Sequence, residues 1–468
     1  MNGLSQPGRD NLAVLLEGAS YLFFLAAGAV ALQLSWISMD TAVRLAVLLL
    51  LVLLILAWKR FDGGRHPCFL FLALLVIFQA GRLVGQVAAI LPDPFRIELQ
   101  TAVPFDVSNA TAQLTVCLVL LSAICIYLPC RWDFRPVRLK IGWEQYWLPA
   151  AYVLLALTFP AVLYKNYEYL NYVRTHGGYF AIYTDSQAVL QTVGFLPRLL
   201  SLLASNTFLV VFVMERRSRL LFAVSCVFFS SSLLELLMGF RGKVFILVLT
   251  LWFLHILKTG KRFRLLPLAI SASLLSLVGV VVAGFRENTE VALLSPLGFL
   301  SAQGISMQVT ELAIELKQAF HTHALYYFWN EFKVGFYPGS QFGPGQLFAN
   351  DLSIALNATA YDLGFGTGSA YLAEAYIAGG IFFVAAASAF VGLALRFLHK
   401  LGGHFIGAVV VAVVMPSIIY MPRCGLIEPV SVGTRNLISL SLVFPILWAI
   451  RWVAQIGWHR LHIYEENS

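Results

Sequence analysis

Charged residues are scarce in this sequence. Only 12% of its 468 residues are Asp, Glu, Lys or Arg, whereas 59% are hydrophobic. A soluble globular protein carries about a quarter charged residues and about 45–50% apolar ones. Half of the usual charge cannot cover a water-facing surface, so the composition excludes a soluble enzyme and also a disordered or collagen-like chain. The excess apolar residues must therefore face lipid.

Sequence motifs for binding metals, nucleotides and nucleic acids are also missing. The six cysteines form no Cys-x-x-Cys or Cys/His zinc pattern, and the chain has neither a Walker A sequence nor Gly-x-Ser-x-Gly. The net charge of +8 comes without an arginine-rich run or a basic patch with interleaved aromatics. We therefore expect no metal, no cofactor and no nucleic acid, and we assign the basic excess to cytoplasmic loops.

Long apolar runs, by contrast, dominate the chain. About twelve of them are long enough to cross a bilayer, which predicts an all-α polytopic membrane protein built as one integral membrane domain, 1–468. Lys and Arg are concentrated in alternate connections, which the positive-inside rule places in the cytoplasm together with both termini. The predicted spans are 14–35, 42–58, 68–91, 112–129, 146–164, 194–214, 219–238, 244–257, 265–284, 371–395, 404–421 and 434–454.

One predicted outer connection, 285–370, is far longer than the others. Connections of this length are uncommon unless they are functional. Within it, residues 306–332 place apolar side chains at helical spacing, whereas the Gly- and Pro-rich stretch that follows must be irregular. We interpret 285–370 as a partly helical periplasmic lid or substrate-binding module, inserted between the ninth and tenth spans.

Basic residues at the outer ends of the spans are informative because the positive-inside rule disfavours them there. The guanidinium group of arginine is a planar fork that matches phosphate oxygens. Several such groups at one membrane depth suit a polyprenyl diphosphate, whose tail stays in lipid. The alternative for each residue is a snorkelling or structural side chain. The candidate diphosphate-binding residues at these ends are Arg241, Lys243, Arg286, Arg423 and Arg435.

Arg82 is a sixth candidate, although it lies inside the third predicted span. A charged side chain within a span costs about 2.5–3.5 kcal/mol on insertion scales. Arg82 should therefore face a polar cavity or a partner, and Glu235 is a candidate for that partner. Gln79 and Gln86 lie three and four residues from Arg82, so the three polar side chains share one helix face.

Transfer of a sugar from a diphosphate to a hydroxyl also needs a general base near the acceptor. Our catalytic candidates are Glu287, His323 and Glu374. Each has a plainer explanation: Glu287 can neutralise the adjacent Arg286, His323 can be a helix-surface residue, and Glu374 can simply favour the start of its helix. The further acid–base candidates on the predicted outer face are Glu290, His321 and Asp362.

Two short motifs and one longer stretch carry a family resemblance. Arg241 lies in GFRGK, Arg286 lies in GFREN, and GFGTGSAYLAEAYIAGG leads into the tenth predicted span. Together with the spans and the long outer loop, these features resemble the Wzy-type O-antigen polymerases, which belong to the wider group of oligosaccharide repeat-unit polymerases.

This resemblance implies a GT-C-like fold and a metal-independent reaction at the periplasmic face of the inner membrane. Both donor and acceptor would be oligosaccharides linked to undecaprenyl diphosphate, and the growing chain would move onto a hydroxyl of a newly flipped repeat unit. The resemblance also implies that Arg241 and Arg286 bind the diphosphates, whereas Arg423 and Arg435 rest on topology alone. The implied protein partners are a flippase and a chain-length regulator.

Two other functions stay open from the sequence. An O-antigen ligase, or another lipid-linked glycosyltransferase of similar architecture, would use a different acceptor. A transporter or flippase would need charged residues along a path that crosses the membrane. The charged residues of this chain are instead concentrated at one face of the membrane, and spans such as 42–58 and 265–284 contain few or no charged residues.

Overall fold

The computed structural model describes most of the chain, with gaps. The described residues are 16–21, 26–28, 33, 37–91, 93–97, 105–132, 134–140, 142–176, 186–237, 241–262, 264, 270, 273–274, 277, 298, 301–320, 324–337, 343–362 and 366–465.

The described residues are almost entirely helical. One two-stranded antiparallel hairpin, β1 (Arg96–Ile97) and β2 (Phe105–Asp106), interrupts the helices. The helices are α1 (Met39–Arg60), α2 (Pro67–Val87), α3 (Asn109–Arg131), α4 (Leu148–Thr175), α5 (Ser186–Val193), α6 (Phe195–Met214), α7 (Ser218–Leu237), α8 (Arg241–Thr259), α9 (Ile305–Glu315), α10 (Ala324–Phe336), α11 (Phe348–Asp362), α12 (Tyr371–Leu401), α13 (Phe405–Tyr420) and α14 (Glu428–Glu465).

Nine helices in the described part of the chain are long and apolar enough to cross a membrane: α1 to α4, α6, α7 and α12 to α14. Each overlaps one of the predicted spans, so the prediction of an all-α polytopic membrane protein is confirmed. A shorter apolar helix, Val244–Thr259, corresponds to the predicted span 244–257. The predicted spans 14–35 and 265–284 lie mostly outside the described residues, and the total of twelve stays a prediction.

The helix starts follow local sequence signals. The Ser38 hydroxyl accepts a hydrogen bond from the backbone N–H of Thr41 at 3.2 Å and so caps α1. Ser108 caps α3 in the same way. At α2, Pro67 occupies the first turn, where a missing N–H costs nothing, and His66 caps the helix.

Large apolar side chains project outward from the spans. On α12, Phe382, Phe390 and Phe397 are 90%, 67% and 62% exposed, and α1 exposes Leu48 and Ile55. Apolar patches of this extent are rare on soluble monomers, whereas lipid accommodates them. The exposure therefore agrees with the membrane interpretation drawn from composition.

The described helices form two compact units. The first combines 1–137, 260–400 and 417–430, and the second combines 138–259, 401–416 and 431–468. In the second unit, α4 packs along α6. In the first, α12 packs directly on α3, because a Cβ atom at Gly392 would lie 2.5 Å from the carbonyl oxygen of Ile126. The single domain over 1–468 stays a prediction.

The described parts of the long connection 285–370 are mostly helical. The helical spacing of apolar side chains over 306–332 predicts helical structure, and α9 and α10 occupy much of that range. These helices and α11 share a small apolar core, which the hairpin residue Ile97 joins. The core residues from the three helices include Val309, Leu312, Ala313, Tyr327, Phe348 and Leu352. The placement of this module on the periplasmic side stays a prediction.

Helix α12 is broken near its start. Gly380 has φ 65° and ψ −153°, a left-handed conformation that glycine adopts and other residues rarely do. The break separates a short first segment, which contains Glu374, from the long membrane segment that follows. Residues 371–378 can therefore run in a different direction from the span.

Candidate functional site

The loop between α13 and α14 is the centre of the candidate site. Its first residues, Met421–Arg423, form a single 3-10 turn, and Gly425 follows two residues later. The loop meets the start of α12 and the middle of α10. It therefore joins the membrane helices to the module formed by 285–370.

Glu374 is held by this loop. Its side chain is only 5% exposed. One carboxylate oxygen, Oε2, accepts a hydrogen bond from the backbone N–H of Leu426 at 2.7 Å, and the other, Oε1, accepts one from the hydroxyl of Ser369. Because both oxygens have fixed donors, the carboxylate is locked in one orientation.

Glu331, on α10, lies beside Glu374. The backbone N–H of Ile427 donates to its Oε2 at 3.3 Å, and the two carboxyl groups are hydrogen-bonded to each other. A hydrogen bond between two carboxyl groups requires a proton on one of them. Desolvation and the neighbouring Glu374 and Glu428 carboxylates raise the pKa of Glu331 well above its usual range, while the Ile427 N–H opposes the shift. The pair therefore holds one shared proton.

Gly425 is fitted against this carboxyl pair. A Cβ atom at position 425 would overlap Oε1 of Glu331 and lie 2.7 Å from Oε1 of Glu374. No residue with a side chain fits there unless the carboxyl groups move. The loop therefore needs glycine at this position because two backbone N–H groups must approach the carboxyl pair closely.

Arg423 lies on the same loop, two residues before Gly425. Its Nη1 donates to Oε1 of Gln303 at 2.5 Å, and its guanidinium lies over the Phe78 ring, 5.5 Å from the centroid. Gln79 fixes the turn because its Nε2 donates to the carbonyl of Pro422 at 2.6 Å. A cation and a singly protonated carboxyl pair are thus brought together by one short segment.

Arg82 has partners other than the one that the sequence suggested. Its Nε donates to the carbonyl of Pro94 at 2.9 Å, and its Nη2 donates to that of Arg96 at 3.0 Å. The guanidinium therefore holds the chain that enters the β hairpin. Glu235, the suggested partner, lies 3.6 Å from Lys165 in a salt bridge.

Beneath Arg82 lies a second carboxyl group. Glu311 on α9 is fully buried, and neither carboxyl oxygen has a hydrogen-bond partner in the part of the chain that the structure describes. Burial raises the pKa of Glu311 to about 8, with Arg82 acting in the opposite direction. Glu311 is therefore protonated near neutral pH.

The other predicted site residues fall into three groups. Arg241 and Lys243 lie in the first turn of α8, and Arg435 lies on α14, all in the second compact unit. The residues Arg286, Glu287, Glu290, His321 and His323 lie outside the described residues. Asp362 is exposed at the end of α11.

Three potential metal ligands also come together away from this loop. Ligand atoms of His66, Cys68 and Cys130 lie within 4.8 Å of one another, although their sequence spacing predicts no zinc site. The ligand atoms of His66 and Cys130 already have protein partners. The Nδ1 atom of His66 accepts from the Cys68 N–H at 3.1 Å, and the Cys130 thiol donates to the Gly392 carbonyl at 3.1 Å. The cluster fits neutral, hydrogen-bonded side chains.

Comparison with protein families decides the family of this chain. The family model for O-antigen polysaccharide polymerase Wzy matches residues 19–453, which is nearly the whole sequence. The chain belongs to the O-antigen polysaccharide polymerase Wzy family. It is therefore a multi-pass membrane glycosyltransferase that polymerises O-antigen repeat units and acts on lipid-linked oligosaccharide. Searches of curated proteins and of solved structures gave no match.

The sequence of this Wzy-family polymerase predicted roles for Glu374 and Arg423, which the loop brings into one candidate site, but it did not point to Glu331 or Gly425. Glu331 lies within the aromatic-rich sequence YYFWNEF, and a single carboxylate among aromatic residues could have pointed to a site residue. The pairing itself leaves no local trace, because Glu331, Glu374 and Gly425 lie far apart in the chain.

Proposed function

We propose that this polymerase joins repeat units carried on undecaprenyl diphosphate at the periplasmic face of the inner membrane, without a metal ion. The observation that supports this most strongly is the loop 421–427. It presents a guanidinium and a carboxyl pair at the membrane end where α12 begins and α13 ends. Glycosyl transfer from a diphosphate needs both: a cation for the leaving group and a base for the acceptor.

In the proposed reaction, a hydroxyl of the acceptor repeat unit attacks the anomeric carbon of the donor chain. The bond from that carbon to the lipid diphosphate breaks, and undecaprenyl diphosphate leaves with the bonding electrons. The hydroxyl proton passes to a carboxylate. Of the three candidate bases we choose Glu374, because two fixed donors orient it and Glu331 holds the proton of the pair.

Arginines replace a metal in this proposal. Guanidinium groups stay charged and match the geometry of phosphate oxygens, so they can stabilise the leaving diphosphate. We assign this role to Arg423 because it shares a loop with the residues that hold the carboxyl pair, and we assign it to the motif residues Arg241 and Arg286 from the family resemblance. Lys243 and Arg435 complete the proposed set. For Arg82 we propose a positioning role, since backbone carbonyls engage its guanidinium.

The distribution of basic residues supports the orientation. Lys and Arg are concentrated after α1, after α3 and at the end of α12. These ends would be cytoplasmic, which places both termini inside and the loop 421–427 outside. The proposed partners, a flippase that supplies repeat units and a regulator of chain length, would act on the same face as the loop.

A reconstituted reaction tests this function. Purified protein is incubated with lipid-linked repeat unit in the presence and absence of a chelator, and the products are separated by length. We expect a ladder of products that the chelator does not alter, and we expect Arg241→Ala and Arg286→Ala to remove it without loss of the protein from the membrane.

Two results would contradict the proposal. A ladder that disappears with chelator and returns with a divalent cation would exclude metal-independent transfer. Normal product length in both arginine variants would exclude their role on the diphosphates. Transfer to lipid A core with no ladder would instead identify a ligase.

A further inference from the structure

A second polar site lies at the opposite end of α12 from the carboxyl pair. His399 follows Glu374 by 25 residues in this helix, which corresponds to at most about 37 Å at 1.5 Å per residue. The hydrocarbon core of a bilayer is about 30 Å thick. The helix is therefore long enough for the two sites to lie at different faces of the membrane, and the Lys and Arg distribution assigns the end that carries His399 to the cytoplasm.

A cavity of about 350 Å³ opens beside His399. This volume lies within the usual range for small-molecule and headgroup sites. Among the described residues that line the cavity none is acidic, and three are cationic. The polar lining residues are Arg135, Arg396, Lys400, His66 and His399. The cavity therefore favours an anion and disfavours a cation.

Asp62, an acid at this end of the helices, is engaged by two arginines. Asp62 lies 2.6 Å from Nη1 of Arg65 and 2.7 Å from Nη2 of Arg262. These ion pairs hold the pKa of Asp62 below its usual range. Its charge is therefore directed at Arg65 and Arg262, neither of which lines the cavity.

His399 adds a second, independent feature. The side chain is 3% exposed, and its Nε2 lies 2.9 Å from the carbonyl oxygen of Arg135. Because a carbonyl only accepts, Nε2 carries the proton. The Nδ1 atom is then a buried acceptor, and it has no hydrogen-bond partner among the described residues. A ligand with a hydroxyl donor would satisfy it.

We propose that this cavity binds a phosphate group that has a hydroxyl close to it. The phosphate oxygens accept hydrogen bonds from Arg135 and Arg396, with Lys400 at the rim, and the hydroxyl donates to Nδ1 of His399. Two sources present this chemistry: the headgroup of an anionic phospholipid such as phosphatidylglycerol, and free hydrogen phosphate. Basic pockets between transmembrane helices on the cytoplasmic side commonly take lipid headgroups. The site is independent of the proposed glycosyl transfer.

Native mass spectrometry of the full-length protein in an uncharged detergent tests the proposal. The protein is titrated with dioleoyl phosphatidylglycerol or with dioleoyl phosphatidylcholine, which lacks the net charge and the hydroxyl. The variant is R135Q/R396Q, which keeps the Arg135 carbonyl that fixes His399. The matched control is Lys59→Gln, an exposed basic residue at the end of α1 that does not line the cavity. If the double variant is not monodisperse, R396Q replaces it.

For a lipid ligand, we expect phosphatidylglycerol to bind the wild type preferentially. The variant should lose about tenfold in affinity, and the control should change less than about twofold. For free phosphate, we expect no lipid preference, but inorganic phosphate should raise the melting temperature of the wild type and not that of the variant. The proposal is overturned if the wild type binds phosphatidylglycerol no better than phosphatidylcholine and inorganic phosphate stabilises it no more than chloride does. It is also overturned if the variant binds these probes as the wild type does.

Discussion

Glu331 and Glu374 lie on different helices, yet their carboxyl groups are hydrogen-bonded to each other beneath the backbone of Gly425. Each also accepts a backbone N–H from the residues that follow Gly425. The pair is therefore positioned by backbone N–H groups of the loop, not by charged side chains. This geometry makes the loop as important to the proposed chemistry as the carboxyl groups themselves.

Replacement of Gly425 by alanine should disable the enzyme. The added methyl would overlap Oε1 of Glu331, so the carboxyl pair must shift. Displacement of a catalytic group by about 1 Å can cost about 100-fold in rate, and overpacking costs about 1–3 kcal/mol of stability. Polymer formation in the reconstituted reaction and the melting temperature measure the two effects.

Gly433→Ala on α14 is the matched control. A Cβ atom there would lie 3.6 Å from Cγ1 of Val414, which is an ordinary contact. We expect near-normal activity and stability for this variant. Equal activity of both alanine variants would show that the carboxyl pair tolerates displacement and is not the reacting group.

The carboxyl pair should give a bell-shaped dependence of rate on pH. At low pH both groups are protonated, so no base is present. As pH rises through the raised pKa of Glu331, the shared proton is lost and the two charges repel. Between these limits the pair carries one proton and one negative charge. Initial rates of polymerisation across about pH 4 to 10 measure the profile.

Amide variants separate the roles of the two carboxyl groups. Glu374→Gln removes the base and should lower the rate by about 10²–10⁴-fold. Glu331→Gln keeps a hydrogen-bond donor to Glu374 but cannot titrate, so it should retain activity and lose the alkaline limb. Asp362→Asn, at an exposed position, is the control. A Glu374→Gln enzyme with a normal rate and pH profile would rule out this base.

Substitution of Arg423 tests the leaving-group role. Arg423→Ala should lower kcat/KM for the lipid-linked donor by about 10–100-fold, because a charge-assisted hydrogen bond contributes about 1.5–3 kcal/mol. Arg423→Lys keeps the charge without the planar fork and should recover part of the loss. Arg174→Ala, an exposed arginine in the last turn of α4, should leave kcat/KM unchanged. Wild-type kinetics for Arg423→Ala would exclude this role.

Glu311 should make stability depend on pH. Its pKa is raised from 4.5 to about 8 in the folded protein, so the folded state binds the proton more tightly than the unfolded state. The associated stabilisation is complete below the unfolded pKa and is lost as pH rises toward 8. The loss is on the order of 3–5 kcal/mol. Melting temperatures between about pH 5 and 9 measure it.

Glu311→Gln should flatten this dependence and raise the melting temperature at alkaline pH, because the amide carries no titrating proton. Glu315→Gln, at the end of the same helix, is a less suitable comparison because Glu315 accepts hydrogen bonds from Ser108 and Thr111. Asp106→Asn, exposed on β2, is the better control. An unchanged pH profile in Glu311→Gln would mean that another group titrates.

Local signals determined the membrane helices. Nine of the predicted spans coincide with helices in the described residues, since twenty consecutive apolar residues leave the backbone no other way to satisfy its hydrogen bonds in lipid. Capping residues such as Ser38 and Ser108 likewise act over three or four positions. Membrane helices and helix caps depend on residues close together in the chain, so a single sequence is enough to predict them.

The sequence alone indicated only part of the candidate site. The sequence singled out Glu374 and Arg423 by their predicted position at the membrane surface. It also offered Glu235 as a partner for Arg82, whereas the structure gives Arg82 carbonyl partners near the hairpin and pairs Glu235 with Lys165. A partner separated by many residues is chosen by packing, which the periodicity of one helix does not reveal.

By itself, the sequence determined that this chain crosses a membrane many times and that basic groups collect at one end of its helices, because the cost of placing charge and bare backbone in lipid applies residue by residue. Only the tertiary structure decided that Glu331 would face Glu374, that Gly425 would leave room for both, and that His66, Cys68 and Cys130 would meet. Those contacts depend on how separate helices pack, and packing is a property of the whole chain.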